Sequence, residues 1–406
     1  MRHASRPPLA IGDTRRSQLR MLAFGALLAG GLHAAGLVAE DRAPNPELQA
    51  VAAPDGTAAS DRAAAQSAAN LQSLPSEQVI QVLNAFGQAT PRGKNWLRAL
   101  AADVADNGPF PREALQRFFD DRSGDPDARY VAFQLLAQQD PALRTELLAE
   151  AQTDPSLPVR YLRIRDLLDE AAGLVDERPE EAKALATTAI ENGRSPAQLE
   201  RAAKLLEQLD VPVDLAETLG MMRSWLVIGP FDNTDSEDFD TAYVPENRYL
   251  ELGTPIDPQN GGEPAAEKGK RGPVQWQKVS SDDSQGMVDL NAPLSNEKDA
   301  VAYAYQKLTV QGEQLPLKAE ARLGSITANK VWVNGQLVIS NNVYHSGTRI
   351  DQYVGECQLL PGENTVLIKV LQNAQTEPWA QDWQFQFRLT HPDGRPIKTT
   401  PVEVEL

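Results

Sequence analysis

The sequence predicts a multidomain α + β protein, in which an α-helical repeat domain precedes a jelly-roll β-sandwich. Over residues 76–222 the apolar residues recur with the 3.6-residue period of amphipathic helices. After Arg223, short β-branched and aromatic runs alternate with polar residues, as strands do. The segment 331–339 encloses Asn-Gly, the strongest short signal for a β-hairpin. We therefore predict a helical domain over 74–222 and a sandwich over 223–398.

The first 39 residues predict a signal peptide. Arg15, Arg16 and Arg20 precede an apolar run rich in Ala and Gly, which ends before Glu40. The run is too weakly hydrophobic to predict a membrane span, so no integral span is expected in the mature chain. Because the Arg15-Arg16 pair resembles a twin-arginine export signal, that route and ordinary secretion are both open. We expect an exported protein, periplasmic or extracellular.

Residues 40–73 are predicted to be a disordered linker, and residues 399–406 a C-terminal tail. The stretch 40–73 is rich in Ala, Ser, Asp and Pro and poor in large apolar residues. Such a composition buries too little apolar surface to offset the entropy of ordering.

Capping patterns predict several helix starts within the helical domain. "DPDARYVAFQLLAQQ" and "DPSLPVRYLRIRDLL" begin 29 residues apart, and each places an N-cap acceptor before a proline. Each also carries an arginine, Arg129 or Arg160, ahead of an apolar stripe. This layout resembles HEAT-type repeats, and an irregular helical bundle is the alternative. Ser195-Pro196-Ala197-Gln198 predicts one further start, with a capping box.

Charge and composition exclude several classes of function. The formal net charge is -17, and the basic first 39 residues leave the remainder at about -21. Such a chain would repel phosphate backbones, so nucleic acid is not an expected partner. The single Cys357 predicts no internal disulfide, and only His345 and His391 follow the predicted signal, which excludes a His-rich or Cys₄ zinc site. No Gly-x-Ser-x-Gly elbow, Walker loop or dinucleotide glycine pattern is present.

Several stretches of the second half resemble exported bacterial proteins in which α-helical repeats precede a galactose-binding-like β-sandwich. The resemblance covers about residues 210–395 and depends on "WLVIGPFDN", "ANKVWVNGQLV", "NNVYHSGTRIDQYVG" and "LQNAQTEPWAQDWQFQFRL". "KVWVNG" also resembles the sugar-binding domain of family 2 glycoside hydrolases. What the resemblance implies is the fold and export, together with a structural calcium ion that such binding modules often hold. It carries over no catalytic residue.

The acidic stretch "FDNTDSEDFD" offers candidate ligands for a hard cation, namely Asp232, Asp235 and Asp238. It lacks the glycine and the closing glutamate of an EF-hand, which excludes that loop. The alternative, which this absence favours, is a solvated acidic turn at the boundary between the domains.

Two predicted loops, residues 341–353 and 372–383, combine aromatic side chains with amides and charged groups. Sugar recognition requires this combination of side chains in a concave site. From these loops we predict ten ligand-binding residues: Asn341, Tyr344, His345, Arg349, Asp351, Gln352, Asn373, Gln375, Trp379 and Asp382. The alternative is that the aromatic residues pack the core while the amides satisfy loop backbone.

The function expected from these patterns is that of an exported, non-catalytic binding protein, with carbohydrate as the ligand of the sandwich and no cofactor apart from the implied calcium. One alternative is a structural component that binds envelope proteins through its helical repeats. A second is a polysaccharide-acting hydrolase that uses acidic residues of the β domain.

Overall fold

In the computed structural model, helices form the N-terminal half of the chain and antiparallel sheets form the C-terminal half. The structure describes residues 45–256 and 266–404; the predicted signal peptide and residues 40–44 of the predicted linker lie outside them. The helices of the first half are α1 Pro46–Ala52, α2 Ala58–Leu71, α3 Val79–Asn84, α4 Pro91–Ala105, α5 Arg112–Asp120, α6 Pro126–Gln139, α7 Leu143–Leu148, α8 Leu157–Leu174, α9 Pro179–Asn192, α10 Pro196–Gln208 and α11 Leu215–Leu219.

The prediction of a disordered linker over 40–73 is wrong from residue 46 onward, because α1 and α2 occupy this stretch. Alanine has the highest helix propensity, so an alanine-rich segment needs few large residues to dock as a helix. Leu48, Val51 and Leu71 supply them and are buried in the helical core. The side chain of Thr57 caps α2 by accepting from the amide of Ser60, at 3.2 Å.

The predicted helix start is confirmed at α6. α8 begins later than predicted, and α10 begins after Ser195 as predicted but without the capping box. Asp125 caps α6 by accepting from the amides of residues 127 and 128. Asp154 instead accepts from the amide of Ser156, and α8 begins only after that serine. The capping box predicted at Ser195 is not formed, because the Gln198 amide donates to the Tyr161 carbonyl oxygen and Ser195 makes no side-chain cap.

A series of ion pairs connects α4, α6 and α8, which contact one another in that order. Lys94 of α4 lies 3.0 Å from the capping Asp125 of α6. Arg129 of α6 is 1% exposed and lies 2.6 Å from Asp154, at the start of α8. Buried pairs of this kind are costly to break singly, because the remaining charge is left without compensation.

The second half consists of two antiparallel sheets and a short hairpin. The strands are β1 Ser224–Asp232, β2 Glu267–Lys268, β3 Pro273–Val274, β4 Gln277–Ser280, β5 Val288–Asp289, β6 Ala300–Val310, β7 Leu317–Gly324, β8 Asn329–Val333, β9 Gln336–Asn341, β10 Tyr353–Leu359, β11 Glu363–Gln372, β12 Gln384–Thr390 and β13 Thr399–Pro401. The larger sheet has the order β4-β1-β6-β11-β8-β9, with β13 pairing to β6; the smaller has the order β10-β7-β12-β5, and β2 pairs with β3.

The central strands of the larger sheet, β1, β6, β11 and β8, are buried on both faces. The inner face of this sheet packs against the smaller sheet around Ala304, Ile368 and Phe385, in a sandwich-like arrangement. Its outer face is covered by the segment 233–256, which includes α12 (Val244–Leu252) and contributes Phe239 and Tyr249. Strands buried on both faces read as continuous apolar runs, which explains why "AVAYAY" of β6 shows no polar alternation.

Two sequence predictions about the strands have different outcomes. The Asn-Gly hairpin is confirmed, because residues 334 and 335 connect β8 to β9 with positive φ angles of 50° and 78°. The predicted tail over 399–406 is wrong at its start, because β13 pairs with β6 and belongs to the larger sheet.

The two halves belong to one compact unit that begins at Pro46. The amide of Met222 donates to the Phe387 carbonyl oxygen of β12 at 2.9 Å. Arg388 of the same strand donates from Nη1 to the Leu219 carbonyl oxygen, also at 2.9 Å. Across residues 45–256 and 266–404, no helix has the length and apolar character needed to cross a membrane.

Candidate functional site

The loop after β1, which carries the acidic stretch, lies against the outer face of the larger sheet. Asn233 is fully buried and fixes this loop to its neighbours. Its Nδ2 donates to the Tyr344 hydroxyl oxygen and to the Gln372 carbonyl oxygen, each at 3.0 Å, while its Oδ1 accepts from the Asp238 amide. The side chain of Asn233 therefore ties this stretch to Tyr344 and to β11.

The acidic side chains of this loop make separate contacts. Asp232 accepts from the Thr234 hydroxyl at 2.8 Å and lies 3.3 Å from Lys270. The Thr234 hydrogen bond and Lys270 lower the pKa of Asp232 although burial opposes them. Asp235 is exposed, and Asp238 contacts Asn233 through its backbone amide. Over the described part of the chain, no three His, Cys, Asp or Glu side chains group as metal ligands would.

Two loops cross from the larger to the smaller sheet at the same end of the β half. One joins β9 to β10 over 342–352, and the other joins β11 to β12 over 373–383. They meet where the Asn373 amide nitrogen lies 3.0 Å from Nε2 of His345. Because an amide nitrogen donates and cannot accept, Nε2 is the acceptor and the neutral ring carries its proton on Nδ1.

Trp379 projects from the second loop and is 59% exposed. Its ring stands edge-on to the imidazole of His345, with 5.1 Å between the ring centroids. The backbone beneath it is fixed, since Lys298 donates to the Ala380 carbonyl oxygen and Asn291 donates to that of Gln381. A large aromatic side chain is thus presented to solvent from an ordered loop.

The loop that carries Trp379 also carries polar side chains. Asn373 donates to Oε1 of Gln375 at 3.4 Å, and Nε2 of Gln375 has no acceptor among the described residues. The carboxylate of Asp382 is exposed on the same loop and interacts with the charge of Lys298, while its backbone oxygen accepts from the Gln372 side-chain amide. We name the group His345, Asn373, Gln375, Trp379 and Asp382 the rim surface.

Tyr344 anchors the loop that carries His345 to the outer face of the larger sheet. It is half-buried and packs against the outer core, and its hydroxyl accepts from Asn233. Burial raises the pKa of Tyr344, while the hydrogen bond from Asn233 opposes the shift. In the structure Tyr344 fixes the loop that carries His345, and its predicted role in binding a ligand stays a prediction.

Asp351 is the clearest correction to the predicted binding residues. Its carboxylate accepts two hydrogen bonds from Arg388, at 2.8 and 2.5 Å, and one from Arg322 at 2.7 Å. Burial disfavours its charge, but the two arginines outweigh this effect and lower the pKa of Asp351. This carboxylate is used within the fold, and Arg388 connects it to the helical half through Leu219.

The remaining predicted residues lie beside the rim surface without forming one hollow with it. Asn341 donates to Oδ1 of Asn329 at 3.1 Å, and Gln352 donates to the Ser346 hydroxyl at 2.9 Å. The side chain of Arg349 is exposed, and its backbone amide contacts Gln352. Three cavities of about 290, 270 and 560 Å³ occur elsewhere, and none of them includes His345 or Trp379.

Sequence reasoning missed Lys369 of β11, which is fully buried under the loop after β1. Its ammonium donates to the carbonyl oxygens of Asp238, Phe239 and Thr241, at 3.1, 2.9 and 2.6 Å. The carboxylate of Glu246 lies 3.5 Å away. The signal that could have revealed it is a single lysine within the apolar run "VLIKVL", because such a charge must be paired if it is buried.

No protein-family model matches this chain, and no curated protein matches it either.

Proposed function

We propose that this chain is an exported, non-catalytic binding protein whose β half binds carbohydrate at the rim surface. The observation that carries the proposal is the 59% exposed Trp379 ring on a fixed loop beside His345. An exposed indole is costly in water and gains stability when a ligand covers it. The apolar face of a pyranose ring is a suitable cover.

The groups around the ring fit the hydroxyls of a sugar. The free Nε2 of Gln375 can donate, and the exposed carboxylate of Asp382 can accept. His345 is held by Asn373, so the polar groups are positioned before a ligand arrives. Such preorganisation lowers the entropy cost of binding.

We also propose the finer architecture of the two halves. The ion pairs that repeat from α4 to α6 to α8 support a HEAT-like array, and the two packed antiparallel sheets support a jelly roll of galactose-binding-like type. In this proposal the helical array is the scaffold that presents the rim surface.

The test is retention on immobilised polysaccharides and on a glycan array, with the full chain. We expect at least one glycan to retain the protein, and Trp379→Ala to weaken that binding by about tenfold or more, which corresponds to about 1.4 kcal/mol. Leu252→Ala is the matched control, since Leu252 is 63% exposed and lies outside the rim surface. Equal retention of wild type and Trp379→Ala would overturn the assignment of the site.

The two alternative functions predict other results. A component that binds envelope proteins would co-purify with them in the same amount before and after Trp379→Ala and would be retained by no glycan. A hydrolase would release reducing sugar from a polysaccharide, and this release would vanish when one carboxylate of the β half is replaced.

Export is part of the proposal and has its own measurement. The arginines at 15, 16 and 20, followed by an apolar run, support it. We expect the protein in the periplasmic or extracellular fraction, with a mature N-terminus near residue 39. Recovery in the cytoplasmic fraction, starting at Met1, would contradict it.

A further inference from the structure

The helical half repeats one arrangement at the starts of α4, α6 and α8. Each of these helices carries a cation four residues after its N-cap: Lys94 after Thr90, Arg129 after Asp125, and Arg160 after Ser156. The first two cations pair with an aspartate at the start of the next helix in the stack, Asp125 and Asp154 respectively.

The third position lacks its carboxylate. The next helix after α8 in the stack is α10, whose N-cap, Ser195, is preceded by Arg194. Arg160 donates from Nε and Nη2 to the backbone oxygens of Asp154 and Thr153, and its Nη1 has no acceptor among the described residues. The start of α10 therefore carries an arginine, Arg194, directly before its N-cap and no aspartate.

A cavity of about 270 Å³ occupies this place, between α8, α10 and the turn after β12. Arg160, Arg194 and Ser195 line it together with Tyr161 and Leu157, which are 46% and 36% exposed. Residues 157, 160 and 161 share one face of α8, because positions three and four apart are neighbours on a helix.

Arg194 lines this cavity and also has a buried donor that is not used. Its Nη1 donates to the carbonyl oxygens of Asn192 and Gly193, but its buried Nε has no acceptor within the described structure. The nearest carboxylate, Asp393, lies 3.8 Å from Nε, which is too long for a hydrogen bond. An unpaired buried donor is costly, so the charge of Arg194 is incompletely satisfied by the described residues.

The charged side chains around the cavity include one more cation than carboxylates. Arg129 is balanced by Asp154, and Arg322 and Arg388 are balanced by Glu320 and Asp351. Arg395 is paired with Glu313. Arg160 and Arg194 then share Asp393, which is 41% exposed in its side chain, and Asp154, already paired with Arg129, also acts on Arg160.

The pKa shifts of Arg160 and Arg194 agree with an excess of positive charge around the cavity. Burial lowers the pKa of both Arg160 and Arg194, and for Arg194 the charge of Arg160 lowers it further. The two guanidinium groups therefore repel each other across a cavity that offers them one partly exposed carboxylate.

We propose that this cavity binds the carboxylate group of a small organic anion, in the place that Asp125 and Asp154 hold at the two earlier positions. Arg160 and Arg194 bind the carboxylate, since guanidinium groups match its planar geometry. Tyr161 and Leu157 contact the body of the ligand. A single excess positive charge favours a monovalent carboxylate over a dianionic phosphate.

Isothermal titration calorimetry on the full chain tests the proposal with four probes. Benzoate and D-glucuronate carry the carboxylate on an apolar and on a hydroxylated ring, and benzamide and D-glucose are their neutral counterparts. We expect at least one acid to bind about tenfold or more tightly than its neutral counterpart, and the better acid identifies the body that Tyr161 accepts. Acids that bind no better than the neutral probes, or binding of inorganic phosphate alone, would overturn the proposal.

Variants locate the binding. Arg160→Gln and Arg194→Gln should each weaken acid binding by about tenfold, and Arg194→Lys should keep part of it. Arg201→Gln is the control, because Arg201 lies on the same helix α10 and pairs with Asp169 at the surface. Acid binding that is unchanged in both glutamine variants would contradict the assignment.

Asp393→Asn provides a test that does not depend on losing binding. It removes the one carboxylate that competes for the two arginines, so we expect tighter acid binding, while weaker binding would contradict the proposal. Trp379→Ala should leave acid binding unchanged, which separates this site from the rim surface. Circular dichroism and thermal unfolding of each variant show that the fold is retained.

Discussion

At position 369 the fold places a lysine ammonium where three backbone carbonyl oxygens of the loop after β1 converge. Tyr303 completes the surroundings, because it donates to Glu246 at 2.7 Å and its ring lies 5.9 Å from Nζ of Lys369. Carbonyl oxygens around a cation are the ligands that a hard metal ion would use. Lys369 thus provides from within the chain the cationic centre on which this loop folds.

The buried ammonium makes stability depend on pH. Burial lowers the pKa of Lys369 to about 8, although the carboxylate of Glu246 opposes the shift. Between that value and the ordinary one of 10.5, the unfolded chain binds more protons than the folded chain, so stability from this group rises with pH.

We expect the difference in unfolding free energy between wild type and Lys369→Met to rise by about 1.5 kcal/mol from pH 8 to pH 9.5. Urea unfolding at the two pH values measures it, and the comparison with the variant removes the contribution of titrating groups that do not interact with Lys369. A difference that stays constant or falls would contradict the shift.

Among single residues, sequence could identify types of side chain but not their partners. Asp351 and Asp382 look equivalent in the sequence, yet one accepts from two arginines and the other is exposed. Trp379 and Trp383 are four residues apart, and only Trp383 is fully buried. These outcomes depend on which strands and loops pack together, and a local pattern does not contain that information.

At the level of elements, the helix starts of the first half depend on short-range capping and on charges from the preceding helix. Asp125 takes part in both interactions. Its Oδ1 accepts from amides in the first turn of α6 and caps the helix, and its Oδ2 accepts from the ammonium group of Lys94. The two contributions can be separated, because asparagine retains the cap and loses the charge.

Asp125→Ala should lower the unfolding free energy by about 1–2 kcal/mol, because it removes the cap and leaves Lys94 with Asp127 alone. Asp125→Asn should cost less, since its side-chain oxygen still accepts from the helix amides. Urea unfolding of the two variants gives both values. An equal cost for the two would show that the charge, and not the cap, accounts for the stability.

The elements that the sequence predicted best are those with a strong local signal. The run "AVAYAYQKLTV" coincides with β6, and Asn-Gly marks the turn between β8 and β9. The sequence does not predict β10. This strand has few apolar residues, and its side chains alternate between buried and exposed positions, so it resembles the loop before it. α1 and α2 were missed because alanine contributes helix propensity without large apolar area.

At the level of the whole molecule, the helical half and the β half share contacts that begin at Leu219. Arg388 is 1% exposed, donates to the Leu219 carbonyl oxygen and binds Asp351, which in turn fixes Arg322. Met222 extends the contact by donating to β12. The halves are therefore expected to unfold together.

Arg388→Met should uncouple the two halves. The variant leaves the Leu219 carbonyl oxygen without its donor and Asp351 with Arg322 alone, which should cost about 3 kcal/mol or more. Five of the six tryptophans lie in the β half, so fluorescence follows that half while far-UV circular dichroism follows the helices. Wild type should give coincident transitions, and Arg388→Met should give separate ones.

The control for this experiment is Arg395→Met. Arg395 lies close to the same junction but is 47% exposed and pairs with Glu313 at 3.2 Å, so its loss should cost under about 1 kcal/mol. Its two transitions should remain coincident. If Arg388→Met shifts both signals together, the halves are held by the Met222 contact and the packing around it, and Arg388 acts only within the sandwich. If the transitions separate, the arginine and Asp351 are what couples a change in the helices to the loop that carries His345.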